Sequence, residues 1–548
     1  MKNKNYCFFL LIFFFLINLS YSQVVVQRVK LDPNNISAWF QNTGIFDQNT
    51  LIGNLAGFEW PKGSGKTAIF TTGLTIAARV NGIIRMASAS YKGEYAPGYC
   101  NNGIPVTNSN FKIYKVSRGD NQYTNPDWAN WGLMVPYGAP FVDVNNNGTY
   151  EPAVDTPGVR SAASTIFICM TDGFPDNHIV GEGFGGGTSP LFAEVHMTAW
   201  AYDKISLSDM QFINWVVINK STLPWNSAYF SIVTDPDLGW PDDDYTGCDT
   251  ARNLGYCYNA TNNDQIYGIA PPSVGIAILR GFINKNVVPN IYLGLTAFSK
   301  FDGSPSVPCE FGGSLLGAYL YMKGFKNDST AWLDPNQLIA PPNYYKKTKF
   351  LYPGDPETNT GWTAFKGSVP NCGLDSSGTP VIPVAPGDKR FIMSCGAENL
   401  TVAPNDTQTI IIAQMIARGN SNLNSVTKLK QLADTSYSIY SSGFNVGIQN
   451  VSSQVPESYY LEQNIPNPFN PITKIKFNIP IWKGEGERII SLKIYDILGK
   501  EISTLVNEQL QPGVYEVEFD GSNLPSGVYF YRLIAGDFIA TKKMLIIK

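Results

Sequence analysis

Apolar and polar positions alternate with period two along most of this chain. In residues 191–202, Phe192, Glu194, His196, Thr198 and Trp200 fall on one side, and Ala193, Val195, Met197, Ala199 and Ala201 on the other. Residues 210–218 place Met210, Phe212, Asn214, Val216 and Ile218 together, and 274–279 and 407–416 keep the same rhythm. Turns rich in Gly, Pro, Asn and Asp separate these runs, so the pattern predicts an all-β body, a multi-strand sandwich of antiparallel strands. One segment changes period. Leu423, Val426, Leu429, Ala433, Tyr437, Tyr440 and Phe444 recur in steps of three and four after Ser421 and Asn422, either of which can cap a helix. An amphipathic helix is predicted over 423–441, with its apolar stripe packed on the sandwich.

The alternation resumes near the C-terminus. Four strands are predicted around Ile475-Lys476-Phe477, Ile490-Ser491-Leu492, Tyr515-Glu516-Val517 and Tyr529-Phe530-Tyr531, joined by turns at Leu498-Gly499-Lys500, Pro512-Gly513 and Pro525-Ser526-Gly527. About ninety residues with this spacing fit a small immunoglobulin-like β-sandwich over 459–548. Residues 446–458 are polar and aperiodic and read as a linker. The irregular stretch 482–487 reads as a long hairpin loop, and 23–445 forms the body, as one domain or two.

Composition places this fold outside the cytoplasm. Only 15% of the 548 residues are charged, while 50 are Gly and 36 Pro. Lys2 and Lys4 precede an apolar run from Phe8 to Leu19, and Ser20-Tyr21-Ser22 supplies small residues. A signal peptide over 1–22, cut before Gln23, is therefore expected rather than a membrane anchor. Removing Lys2 and Lys4 takes the formal net charge from −4 to −6, which with no basic tract argues against nucleic acid as a partner. Of eight cysteines, Cys7 leaves with the leader. In an oxidising compartment Cys248–Cys257 and Cys372–Cys395 are the expected disulfides, leaving Cys100, Cys169 and Cys309 without a mate.

The segment Tyr460-Leu461-Glu462-Gln463-Asn464-Ile465-Pro466-Asn467-Pro468-Phe469-Asn470-Pro471 resembles the opening of the type A C-terminal sorting domain of the type IX secretion system. Tyr495-Asp496-Ile497-Leu498-Gly499, the stretch from Leu524 to Leu533, and Lys542-Lys543-Met544 resemble its later signatures. The resemblance implies a secreted protein, extracellular or attached at the outer-membrane surface. Its partners would be the type IX machinery and, for an anchored form, surface lipopolysaccharide. Phrases in the body, including Pro271-Pro272-Ser273-Val274-Gly275 and Gly387-Asp388-Lys389-Arg390-Phe391, resemble an uncharacterised class of large secreted proteins with the same tail, which implies no reaction.

Two acidic stretches point to calcium as the cofactor. Asp143, Asn145 and Asn147 offer oxygens at positions one, three and five of a loop, with Gly148 at six, Thr149 at seven and Glu151 at nine. Position twelve is Val154, with Asp155 directly after it, so the usual bidentate acid is displaced by one. Asp235, Asp237, Asp242, Asp243, Asp244 and Asp249 form the second stretch, where adjacent carboxylates repel and a bound dication relieves them. Gly65-Lys66-Thr67 ends like a phosphate loop, but Trp60 stands where its first glycine belongs, which argues against nucleotide and for a turn entering a strand.

Catalytic patterns are sparse. His178 and His196 are the mature histidines, no serine lies in a Gly-x-Ser-x-Gly elbow, and no His-Glu-x-x-His is present. A non-enzymatic, structural or adhesive role is expected. The alternatives are glycan binding on aromatics such as Trp240, Trp332 or Trp362, and a hydrolase built on paired carboxylates.

Overall fold

A computed structural model of the chain describes residues 26–548 apart from 52, 146, 302–306, 313, 341–343, 374–379, 445–448, 453–455, 482–488, 511 and 522–523. The expected signal peptide, the hairpin loop at 482–487 and much of the linker thus lie outside the described residues. The remainder is built mostly of antiparallel strands, as the alternation predicts.

The body strands that matter below are β1 (Thr71–Val80), β2 (Ser164–Thr171), β3 (Ala193–Ala201), β4 (Met210–Asn219), β5 (Asn226–Asp235), β6 (Asp244–Asp249), β7 (Leu254–Asn259), β8 (Ser273–Arg280), β9 (Ala297–Phe301), β10 (Arg390–Gly396) and β11 (Thr407–Ala417). They form two sheets. A ten-stranded sheet runs β9-β10-β5-β1 and continues through short N-terminal strands; a nine-stranded sheet contains β2-β3-β4-β11-β8-β7-β6 in that order. The two share one apolar core, with Phe230, Ile232 and Ile76 from the first and Trp215, Ile412 and Ile276 from the second.

Every residue of β2 and β3 is buried, so both faces of these strands are covered. One face meets the main core. Over the other lies a satellite cluster in which Trp131, Met134 and Tyr150 pack against Phe167 and Cys169. The predicted helix is α2 (Asn422–Ser441). The Ser421 hydroxyl accepts from the Asn424 backbone N–H at 3.0 Å, and Val426, Leu429 and Ala433 are buried against β11, β8 and β7. Two shorter helices were not foreseen: Pro126–Asn130, and α1 (Leu315–Met322). The α1 segment Leu-Leu-Gly-Ala-Tyr-Leu-Tyr-Met is apolar nearly all round, so it carries no periodic signature although Ser314 caps it.

Both expected disulfides are corrected. Cys372 is bonded to Cys309, not to Cys395. Cys248, Cys257 and Cys395 are free and buried with Cys100 and Cys169. Cys248 and Cys257 lie on adjacent strands, but β6 and β7 pair Cys248 with Gly255 and Cys257 with Thr246, so their backbones are two positions out of register.

At the C-terminus, β12 (Ile472–Ile479), β13 (Ile489–Tyr495), β14 (Glu501–Gln509), β15 (Gly513–Asp520), β16 (Gly527–Ala535) and β17 (Phe538–Ile546) build two four-stranded sheets. One is β14-β13-β16-β17. The other is Gln449–Ser452, β15, β12 and Tyr460–Leu461, so part of the predicted linker is an edge strand. Their facing sides form a separate core of Ile475, Phe477, Leu492, Ile494, Tyr531, Leu533 and Met544, on the alternation read from the sequence. β14 and β17 escaped that reading because their solvent sides mix Thr, Ile, Lys and Glu.

Candidate metal sites

The first acidic loop closes on itself. Asp143 accepts from the backbone N–H groups of Asn147 (3.2 Å) and Gly148 (2.7 Å), and Gly148 holds the positive φ of 75° that the turn needs. The side-chain amides of Asn145 and Asn147 both donate to Glu151 Oε2 at 2.7 Å. Asp143, Asn145, Asn147 and Glu151 therefore converge. Thr149 donates its N–H to Asn147 Oδ1 at 2.7 Å. Asp155 does something different: it is buried, and its two oxygens accept from Val144 N–H (2.9 Å) and Glu151 N–H (2.7 Å), tying the ends of the loop together. The exposed Val154 leaves position twelve without a ligand.

The second stretch divides. Asp235 ends β5, and Asp237 lies just beyond it. Beside them comes Asp388, two residues before β10, because β5 and β10 pair with Thr234 opposite Phe391. One carboxylate oxygen from each of Asp235, Asp237 and Asp388 lies within 4.8 Å of the others. Arg390 bridges two of them, 3.3 Å from Asp235 Oδ1 and 2.9 Å from Asp388 Oδ2, and Tyr91 donates its hydroxyl to Asp235 Oδ2 at 2.7 Å. Burial pushes the Asp235 carboxyl up to about 6, with Arg390 opposing and Asp388 adding to the rise. Burial and then the charges of Asp235 and Asp388 raise Asp237 to about 7. Three carboxylates and one guanidinium leave a surplus of two negative charges when ionised, and the donors are all hard oxygens. This set suits a hard dication.

The other predicted ligands do not join this group directly. Asp242 is exposed. Asp243 is raised to about 6 by burial and by Asp264, and the Asn259 amide donates to it. Asp244 is wholly buried, accepts from Leu238 N–H at 3.1 Å and is held well above the usual carboxylate range by burial. Asp249, at the far end of β6, caps the backbone of Ala251 and Arg252 and pairs with the Arg252 guanidinium at 2.9 Å. Asp388 was missed as a ligand because nothing local in its loop shows that strand pairing returns it to a site more than 150 residues earlier.

The same region continues inward. Glu182 Oε1 accepts from four successive backbone N–H groups, Ser90 to Gly93, at 2.6 to 3.2 Å, fixing the loop that carries Tyr91. The side chain of His178 is buried, with Nδ1 3.5 Å from Glu94 Oε2, while its Nε2 lies 2.7 Å from the Asp172 carbonyl. Burial raises Glu94 to about 7, with His178 opposing. His196 on β3 meets Glu194 at 2.9 Å and stands edge-on to Tyr137 beneath the satellite cluster. The segment 60–67 is a turn that leads into strand Thr67–Ile69, as expected. Of the three tryptophans proposed as sugar platforms, Trp332 and Trp362 are 1% exposed, and Trp240 is 40% exposed.

The C-terminal module is locked where the sequence motifs lie. Asn464 donates to Pro466 O (3.0 Å) and Thr473 Oγ1 (2.9 Å), and the Tyr531 hydroxyl accepts from Asn464 N–H and donates to Glu462 O, each at 2.8 Å. Asp496 Oδ1 accepts from the N–H groups of Leu498 and Lys500, both at 2.9 Å, to make a rigid turn. The family model described as the secretion system C-terminal sorting domain matches residues 464–548. These residues are a type IX secretion sorting domain. No curated protein matches the chain. The sorting domain implies secretion and contact with the type IX machinery. Among the described residues, no helix is long and apolar enough to cross a membrane.

Proposed function

We propose that the chain is a structural or adhesive protein of the cell exterior, delivered by its sorting domain and stabilised by calcium. The observation that carries the calcium reading is the convergence of Asp235, Asp237 and Asp388 at the ends of β5 and β10. Bringing three carboxylates together at a partly buried site costs free energy, and a dication offsets that cost. The loop formed by Asp143, Asn145, Asn147 and Glu151 is a second candidate, with an exposed rim and oxygen donors throughout. Both sites hold surface connections of the sandwich, so the role assigned to calcium is to brace the scaffold. Expected result: millimolar calcium raises the thermal midpoint of the purified protein by several degrees, and chelation reverses it. Asp388→Asn should remove most of that response. An unchanged midpoint, together with no bound calcium after dialysis, would refute the reading.

One observation favours glycan binding as a second reading. A cavity of about 250 Å³ is lined by Tyr245, Tyr258 and Phe365, the last 73% exposed, together with Glu357, Asn359 and the buried Thr363. Apolar ring faces beside a carboxylate and hydroxyl suit a sugar ring. Glycan-array binding that disappears in Phe365→Ala would support this reading; an array without signal would end it.

A further inference from the structure

In the sorting domain, the sheet β14-β13-β16-β17 has one face in the core, carrying Leu492, Ile494, Tyr529, Tyr531, Leu533 and Met544. Alternation sends Tyr495, Val528, Phe530 and Leu545 to the opposite face. Cross-strand pairing groups them, with Tyr495 opposite Phe530 and Val528 opposite Leu545. At the end of this face stands the Asp496 turn, whose tip residues Ile497 and Leu498 are 69% and 88% exposed. Turns on a soluble surface are ordinarily polar, and here an Asx turn with Gly499 at a φ of 80° holds two large aliphatic side chains out in water.

The rim carries an excess of cations. Lys543 pairs across the strand with Phe530, the Arg532 guanidinium lies 5.2 Å over the Tyr495 ring, and Lys500 follows the tip, while Glu501, opposite Tyr495, is paired with Lys493 at 2.9 Å. A patch of aromatic and aliphatic groups with cations around it has the composition of a protein interface, and its charge calls for a partner that presents carboxylates around an apolar recess.

We propose that this outer face, led by the Ile497–Leu498 tip, is the surface that a type IX machinery component grips during export. The inference rests on the reading that the sorting domain directs export. Its occupant is an acidic-rimmed apolar protein surface of that machinery rather than a second copy of this chain.

The test is export of the full chain in a bacterium that has the type IX machinery. The double variant Ile497→Asp/Leu498→Asp is expected to reduce the amount reaching the medium or cell surface at least tenfold, with the protein held inside the outer membrane. Both side chains are exposed, so the melting profile of the retained protein should match the parent. Should that variant be degraded, the charge reversal Arg532→Glu/Lys543→Glu addresses the same face from its rim and is expected to act in the same direction. Tyr123→Asp, at a 90% exposed position of the body, should export normally.

Normal export of folded tip and rim variants would overturn the proposal. So would a change in self-association with export intact, which would make the face a contact between copies. A parallel chain lacking 459–548 separates the two levels. If that deletion blocks export while the face variants pass, this surface assignment fails alone; if the deletion also passes, the export reading itself fails.

Discussion

Replacing Glu310 with glutamine is expected to cost the body about 3–5 kcal/mol, the range for removing one partner from a buried ion group. Glu310 sits beside disulfide-bonded Cys309, and its two oxygens hold two buried ammoniums, Lys300 at 2.7 Å and Lys326 at 2.9 Å. The three side chains are 6%, 4% and 0% exposed respectively. Burial alone would raise the Glu310 carboxyl, but Lys300 and then Lys326 hold it below its ordinary value. Burial lowers Lys326 against the pull of Glu310, and its ammonium also reaches Val369 O at 3.3 Å and lies 4.9 Å over the Trp332 ring. The trio already carries one surplus positive charge. Glutamine keeps the shape and removes the only carboxylate of the trio. Lys326→Met would instead leave a one-to-one pair and is expected to cost less than half as much. Calorimetric melting of the body transition for both variants checks the ordering, and equal losses would contradict it.

The second large effect concerns pH. Asp47 is wholly buried where the two sheets meet, near Thr72 and with Gln414 Nε2 3.5 Å from Oδ1; Gln414 in turn donates to Gln211 at 3.1 Å. Burial raises its carboxyl to about 8, with Thr72 and Gln414 opposing. A folded value above the unfolded one means that the proton favours the fold. The contribution of Asp47 is fully present below about pH 4, where the unfolded carboxyl is protonated, and is lost progressively as pH rises to 8. Each unit across that window removes about 1.4 kcal/mol. Asp47 has a φ of 66°, which asparagine tolerates well, so Asp47→Asn changes the charge with little backbone strain. The stability of the variant minus that of the parent is expected to climb between pH 4 and 8. Glu94, Asp235 and Asp237 also have raised values, but they titrate in both proteins and cancel in the difference. A difference that stays flat with pH would exclude a buried, neutral Asp47.

Neither feature is visible in the sequence, and the reason is the same for both. Asp47 stands between Phe46 and Gln48 and reads as a polar turn; only the pairing of distant strands encloses it. Lys300, Glu310 and Lys326 are charged residues in unremarkable contexts until β9, the Cys309 segment and the turn after α1 meet. What could be read was local. The alternation of β3, β4, β8 and β11, the capped stripe of α2, and the inward rows of β12, β13, β15 and β16 depend on neighbours two to four residues away. The calcium-like loop at 143–155 is also local, and its side chains converge as its spacing suggests. The cluster of Asp235, Asp237 and Asp388 is half local: two members follow each other in sequence, and the third arrives through the register of β5 and β10. The disulfide failed for a related reason, since short spacing favoured Cys248 with Cys257 while the fold joined cysteines 63 positions apart.

Two of the sorting motifs fix a backbone feature through their own residues: Asn464 donates to Pro466 O, and Asp496 closes its turn onto Leu498 and Lys500. The most direct measurement of the central claim is therefore a transplant. Residues 449–548, which include the edge strand Gln449–Ser452, are attached to a monomeric periplasmic reporter with a cleavable leader and expressed in a bacterium with the type IX machinery. Export predicts reporter at the cell surface or in the medium, dependent on that machinery. Reporter that remains folded in the periplasm would contradict the assignment of these residues as the export signal.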